Sequence, residues 1–130
     1  MFKTLVAAAG TALALATLTA CGNVDQGGNA CTPKGGASSA TTVAHTVQVV
    51  SDPTTAGAYQ PKTLTVKKGD SVEWDWTDQN ASHTVTADDG SFDSGLCGAG
   101  TRFIVTFASA GSFTYHCTIH AAMTGSVTVQ

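Results

Sequence analysis

Residues 111–129, GSFTYHCTIHAAMTGSVTV, contain two runs of strand-forming residues joined by a short segment rich in metal-binding side chains. Phe113, Tyr115 and Cys117 alternate with polar residues, and period-two alternation is typical of a strand with one buried face. The stretch therefore predicts strands at 112–117 and 124–129. A thiol, an imidazole and a thioether follow at C-x-x-H-x-x-M spacing, on Cys117, His120 and Met123. This spacing fits one tight loop around a metal ion.

The residues upstream continue the β pattern. Within SVEWDW (71–76), Val72, Trp74 and Trp76 share one side, and turn sequences such as KGD (68–70) separate the runs. No helical pattern follows residue 22. Seven or eight regularly spaced strands without helices are typical of an antiparallel sandwich or barrel, although periodicity does not define the strand order. The further predicted strands are 43–50, 63–67, 71–76, 83–87 and 102–107.

Residues 1–20 are typical of a signal peptide. Lys3 is the only cation, and an apolar run follows from Leu5 to Leu18. A membrane-spanning helix is the alternative, but such helices need about 20 apolar residues. The run ends in LTACG (18–22), which resembles the lipobox of bacterial lipoproteins. The resemblance implies cleavage before Cys21 and lipid attachment to its sulfur; an ordinary secretory signal that contains a cysteine is the alternative.

The segment after Cys21 has the composition of a linker. Residues 23–42, NVDQGGNACTPKGGASSATT, contain almost no large apolar side chain. Such a segment cannot bury enough surface to offset the entropy lost on ordering. We therefore predict that residues 21–42 form the lipid-anchor cysteine and a flexible tether, and that residues 43–130 form the folded domain.

The charge balance excludes one class of partner. Six lysines and arginines oppose nine aspartates and glutamates, for a formal net charge of −3. One of the six cations, Lys3, lies in the predicted signal peptide, so the mature chain is more acidic still. Because no basic patch is present, nucleic acid is not expected as a partner.

A metal held by Cys117 and His120 needs a third strong ligand. The candidates are the remaining histidines: His45, His83 and His116. His116 adjoins Cys117 in a strand, so its side chain points to the opposite face. His45 lies in an apolar strand with no polar neighbour. His83 starts a strand directly after a loop, and a ligand there can meet a loop at the same end of a sandwich, which favours His83.

Two imidazoles, one thiolate and a weak thioether then form the predicted site: His83, Cys117, His120 and Met123. This is the blue-copper donor set, in which the axial thioether is distant. Zinc prefers four firm tetrahedral ligands and is the weaker candidate. Taken alone, Met123 would be a core residue and Cys117 a small buried hydrophobe. Their joint spacing favours a metal site that binds one copper ion.

Most of residues 47–130 resembles the cupredoxins, specifically the plastocyanin and amicyanin group. The resemblance rests on YQPKTLTVKKGDSVEW (59–74), NASHTVT (80–86), SFDSG (91–95) and the quoted 111–129 block, whose short ligand loop matches amicyanin. It implies an all-β, eight-stranded Greek-key sandwich with copper bound at one end by the four residues above. In many relatives the residue after the first ligand is an Asn that braces the ligand loop. Here it is Thr84, so no reduction potential is carried over.

The site predicts a carrier and not an enzyme. No coordination position is left for substrate, and no acid–base pair stands near the ligands. We expect a monomeric one-electron carrier outside the cytoplasm, tethered to the membrane by lipid on Cys21. By analogy with the family, the edge of His120 is exposed beside Ala121 and Ala122, and redox partner proteins dock there.

Two other functions are considered. Copper-delivery sites tend to be exposed and rich in methionine or histidine, but this chain has only Met1 and Met123. A hydrolase using Cys117 and His120 would lack an orienting partner and would leave Met123 without a role. Both are therefore weaker interpretations than the carrier.

Two of the four cysteines remain after lipidation and metal binding. Outside the cytoplasm, paired thiols are typically oxidised. The hypothesis is that Cys31 and Cys97 form a disulfide that pins the tether to the domain; two free thiols are the alternative. Cys97 falls where cupredoxins often carry an apolar residue after DSG.

Overall fold

The computed structural model of the chain describes residues 31–37 and 42–130, so the predicted signal peptide and Cys21 lie outside the described residues. Within these ranges there are eight β-strands and no helix, hence no helix long and apolar enough to cross a membrane. The strands are β1 (His45–Val50), β2 (Ala58–Gln60), β3 (Thr63–Val66), β4 (Ser71–Trp76), β5 (Thr86–Ala87), β6 (Arg102–Thr106), β7 (Gly111–Cys117) and β8 (His120–Val129).

The strands form two four-stranded sheets, ordered β2-β1-β4-β6 and β3-β8-β7-β5. The predicted all-β cupredoxin sandwich of about eight strands is confirmed. The sheets are mixed and not purely antiparallel, because β1 pairs with β4 and β3 pairs with β8 in parallel. Period-two patterning identifies strands and their buried faces but does not encode strand direction.

Three observed strands differ most from the prediction, and the bounds of the others agree to within two residues. Strand β2 was not predicted, because it has only three residues. Strand β5 covers Thr86–Ala87 and not 83–87, because the main chain of His83 pairs instead with Cys97. Strand β8 begins at His120 and not at residue 124, so it includes the ligand segment.

Aromatic rings join the two sheets beneath the ligand end. Trp74 on β4 is fully buried, and its ring centroid lies 5.3 Å from that of Tyr115 on β7 and 6.1 Å from that of Phe103 on β6. Buried aromatic side chains remove about 150–250 Å² each from water and dominate core energetics. Tyr115 precedes Cys117 by two residues on the same strand face, so this packing also fixes the position of the thiol.

Residues 31–37 are fastened to the domain. Cys31 and Cys97 form a disulfide, and short antiparallel bridges link Lys34 to Asp93 and Ala37 to Ile104. Ala37 thereby covers part of the outer edge of β6, which would otherwise expose unpaired backbone groups. The expectation of a flexible tether does not hold for these seven residues, because the cross-link and the bridges supply the contacts that their composition lacks.

Candidate metal centre

The structure brings the thiol and two of the imidazoles together at one end of the sandwich. Strand β7 ends at Cys117 and β8 begins at His120, and these two residues face each other across the turn. His83 reaches the same place from the loop after β4. One ligand atom from each of His83, Cys117 and His120 lies within 4.8 Å of the others. These are the three strong ligands predicted from the sequence.

The donor atoms point at a common position. Nδ1 of His83 lies 3.0 Å from Nδ1 of His120, which in turn lies 3.6 Å from Sγ of Cys117. His83 and Cys117 are buried, whereas His120 is partly exposed. The described part of the chain has one free cysteine, Cys117. A buried thiol that faces two ring nitrogens is the arrangement that a soft, imidazole-binding metal requires.

The thioether of Met123 lies beside the same position. Met123 is buried, and its sulfur and the ring of His83 both lie close to the backbone of Gly57. A Cβ atom built on Gly57 would lie 2.9 Å from both His83 Nδ1 and Met123 Sδ. Glycine therefore allows the chain before β2 to approach the ligands closely, which no other residue could do without displacing one of them.

Thr84 braces the ligand loop in place of the Asn found in many relatives. Its backbone N–H donates to Cys117 Sγ at 3.3 Å. Its hydroxyl oxygen accepts a hydrogen bond from the backbone N–H of Thr118, 2.9 Å away, within the turn between β7 and β8. A hydrogen bond to sulfur lowers the electron density on the thiolate, and the second bond fixes the turn. The substitution at this position thus retains a link between the two ligand segments.

Sequence reasoning missed a buried carboxylate at the centre. Oδ2 of Asp78 lies 2.7 Å from Nε2 of His83, and the two side chains are 1% and 0% exposed. Burial raises the pKa of Asp78, but hydrogen bonds from His83, Ser51 and the Asn80 N–H outweigh it and bring the pKa to about 2. The carboxylate accepts from Nε2–H, so Nδ1 keeps its lone pair for a metal. Asp78 lies in the polar stretch TDQNAS (77–82), which reads as an ordinary solvated loop.

The two remaining histidines lie outside the cluster. His116 points away from Cys117, as predicted, and its Nδ1 contacts Asp88 on the surface. His45 Nε2 lies 3.0 Å from Asp70 Oδ2. The expectation that His45 has no polar partner is therefore wrong, because Asp70 is distant in sequence and adjacent only in the folded chain.

The four side chains fit copper. Two ring nitrogens and a thiol converge, and the thioether lies next to them, which is the trigonal donor set with a weak axial sulfur. Zinc sites normally have four firm ligands, and a thioether is not one of them. The donor chemistry therefore favours copper over zinc.

Comparisons with known proteins agree with the fold and the donor set. Residues 45–130 match the family model for copper-binding proteins of the plastocyanin/azurin family. A plastocyanin from Nostoc punctiforme is 34% identical, over 56% of this chain and 65% of that protein, slightly less than two thirds of its length. Among solved structures, a purple cupredoxin from Nitrosopumilus maritimus has a TM-score of 0.58 and 27% identity, covering 67% of this chain and all of that one.

Two further solved structures are similar to this chain but differ in how much of their own length it covers. An oxidised methionine-to-leucine mutant of amicyanin has a TM-score of 0.54 and 27% identity, over 65% of this chain and 81% of that one. A copper-containing nitrite reductase from Thermus scotoductus has a TM-score of 0.54 and 25% identity, but only 22% of that chain is covered. The likeness to the reductase is thus confined to a small part of it.

Proposed function

Because the chain belongs to the plastocyanin/azurin family of copper-binding proteins, we propose that it carries single electrons between redox partner proteins. The observation that supports this proposal is the convergence of His83, Cys117 and His120 within 4.8 Å on a packed β scaffold. When bound, copper supplies a one-electron couple between its cuprous and cupric states. The same thiolate and imidazoles suit both states.

The protein's own contribution is to keep the ligands still. Backbone hydrogen bonds of 2.9 Å run in both directions between His83 and Cys97. Cys117 lies at the end of β7 and accepts a hydrogen bond from Thr84, while Asp78 holds the other side of the His83 ring. Because these contacts within the protein hold the ligands in place, the ligands need not rearrange when the charge on the metal changes.

A carrier is favoured over an enzyme or a delivery protein. Three strong donors, Met123 and the close backbone at Gly57 surround the position, which leaves no evident place for a substrate. Delivery to another protein needs ligands that a recipient can reach, but His83 and Cys117 are 0% and 1% exposed. Both observations argue for a metal that stays bound.

His120 is the proposed point of electron entry and exit. Its ring is partly exposed, and large apolar side chains are accessible at the same end: Ile119 is 54% exposed, and Leu96, next to Cys97, is 37% exposed. The neighbouring Ala121 and Ala122 are exposed and small. An apolar patch with a redox group at its centre allows a partner to approach closely.

The carrier function is tested by electron exchange between two copies. Copper-loaded protein should show a reversible one-electron couple in voltammetry and measurable self-exchange by NMR. Ile119→Asp places a like charge at the proposed contact in both copies, so we expect self-exchange to slow by about tenfold or more. Ser109→Asp, in the loop before β7 at the opposite end, is the matched control with the same net charge.

Equal slowing by the two aspartates would contradict docking at His120, because the effect would then depend on net charge alone. Absence of a reversible couple in the unmodified protein would contradict the carrier function itself. The reduction potential of each variant should be recorded as well, since a changed driving force would also alter the rate.

We also propose that the domain lies outside the cytoplasm and is attached to a membrane through lipid on Cys21. The signal-like residues 1–20 and the LTACG sequence support this proposal. The disulfide between Cys31 and Cys97 is consistent with it, because such bonds persist in oxidising compartments. Two acyl chains are sufficient for stable anchoring, whereas one is marginal.

Replacing Cys21 with serine tests the anchor. We expect the full-length protein to fractionate with membranes when expressed in a bacterial host. The Cys21→Ser protein should lose its lipid, and with it the membrane association that the lipid provides. Mass spectrometry of the N-terminal peptide reports the lipid directly. A Cys21 peptide without lipid in the membrane-fractionated protein would rule the anchor out.

A further inference from the structure

We propose that Asp78 is a positioning residue for the copper centre, which selects the Nε2–H tautomer of His83 and shifts the bound metal toward its cupric state. The inference rests on the proposed one-electron function. It assigns a role to a residue that lies outside the donor set and five positions before the first ligand in sequence.

The carboxylate of Asp78 is fixed in orientation through both oxygens. Oδ1 accepts hydrogen bonds from the hydroxyl of Ser51 and from the backbone N–H of Asn80, the latter at 2.8 Å. The backbone N–H of Asp78 itself donates to the carbonyl of Val49, at the end of β1. Oδ2 is thereby left aimed at His83 Nε2, 2.7 Å away.

This contact determines which ring nitrogen binds the metal. A carboxylate oxygen is an acceptor, so it stabilises the proton on Nε2 and leaves Nδ1 unprotonated. Nδ1 is the atom that faces His120 at 3.0 Å. A carboxylate on the outer nitrogen of a ligand histidine fixes the ring and also raises its basicity. Asp78 therefore acts on the metal through His83.

The charge of Asp78 acts differently on the two copper states. A negative charge attracts a divalent ion more strongly than a monovalent one, and the attraction is larger where water is excluded. Asp78 is 1% exposed and His83 is 0% exposed, so little solvent screens the interaction. The expected result is a lower reduction potential than the same four donors would have with a neutral group in this place.

Two other carboxylate–imidazole pairs in the described ranges lie at the surface and provide a comparison. His45 and Asp70 are 32% and 28% exposed, and His116 and Asp88 are 39% and 50% exposed. Placing a carboxylate in a buried position is costly unless it is well paired. Of these three pairs, only the one on a metal ligand is buried, and this supports a role at the copper centre.

The test compares Asp78→Asn with Asp70→Asn in copper-loaded protein. Both changes remove one charge beside a histidine at constant size, but only the first histidine is a ligand. For Asp78→Asn we expect the preference for cupric over cuprous ion to fall about tenfold, equivalent to a potential higher by about 59 mV. Loss of one outer hydrogen bond to a ligand typically costs 10–100-fold in metal affinity. Asp70→Asn should leave the potential unchanged.

A second measurement does not depend on the variant being stable. In unmodified protein loaded with cuprous ion, ¹⁵N NMR should show His83 protonated at Nε2 and bound through Nδ1. Copper bound through Nε2 of His83 would overturn the proposal, and so would equal potentials for Asp78→Asn and the unmodified protein. If the unmodified protein lacks a reversible couple, the carrier function fails instead, so the two failures are distinguishable.

Discussion

Replacing Cys117 with serine is expected to abolish the intense visible absorption of the copper-loaded protein. That absorption requires charge transfer from a thiolate to cupric ion, and Cys117 is the thiol in the donor cluster. A serine hydroxyl is a harder donor than a thiolate and stays protonated at neutral pH. It therefore cannot replace the thiolate in this charge transfer. The residual His83, His120 and Met123 set should bind cupric ion more weakly and without strong colour.

The matched control for Cys117→Ser removes two other sulfur atoms. Cys31→Ala/Cys97→Ala leaves Cys117 intact, so this variant should keep the absorption band. Spectra are recorded after addition of one equivalent of cupric ion and again after reduction with ascorbate. Retention of the band in Cys117→Ser would mean that another donor is responsible for it and would refute the assignment.

The same double variant should have a large effect on stability. The disulfide joins residues separated by 66 positions, and in the chain-entropy model a loop of this length stabilises the folded state by about 4 kcal/mol. Cys97 is fully buried and its main chain pairs with His83, so the cross-link also holds residues 31–37 against the ligand segment. We expect the free energy of unfolding to fall by about this amount.

Chemical denaturation of the metal-free protein measures the effect, because bound copper would add its own stabilisation. Unmodified protein under reducing conditions is the control and should match the double variant, which should itself be insensitive to reductant. Equal unfolding midpoints for the oxidised unmodified protein and the double variant would contradict a stabilising cross-link.

Much of the fold follows from local patterns. The strand at Ser71–Trp76 was predicted with its observed bounds, because its alternation is strong and its inward residues are large. Strand direction and the short β2 were not predictable, since they depend on pairing with distant segments. Residues 31–37 follow the domain surface despite their composition, and the main reason is a single covalent link from Cys31.

The ligands and their supports differ in how far the sequence reveals them. Three of the ligands lie within the seven residues from Cys117 to Met123, so their spacing identifies them. His83 was identified from its predicted place at a strand start, although the structure puts it in the loop before β5. Asp78 and Thr84 act through hydrogen bonds to those ligands. Their roles depend on side-chain direction and burial, and neither property is encoded in spacing.

Crystal structures of the copper-loaded protein in both oxidation states test the central claim most directly. One copper ion should be bound by Nδ1 of His83, Sγ of Cys117 and Nδ1 of His120, with Met123 as the more distant ligand, and these ligands should move little between the two states. Copper bound elsewhere, or a different set of ligands in each state, would contradict a preformed electron-transfer centre.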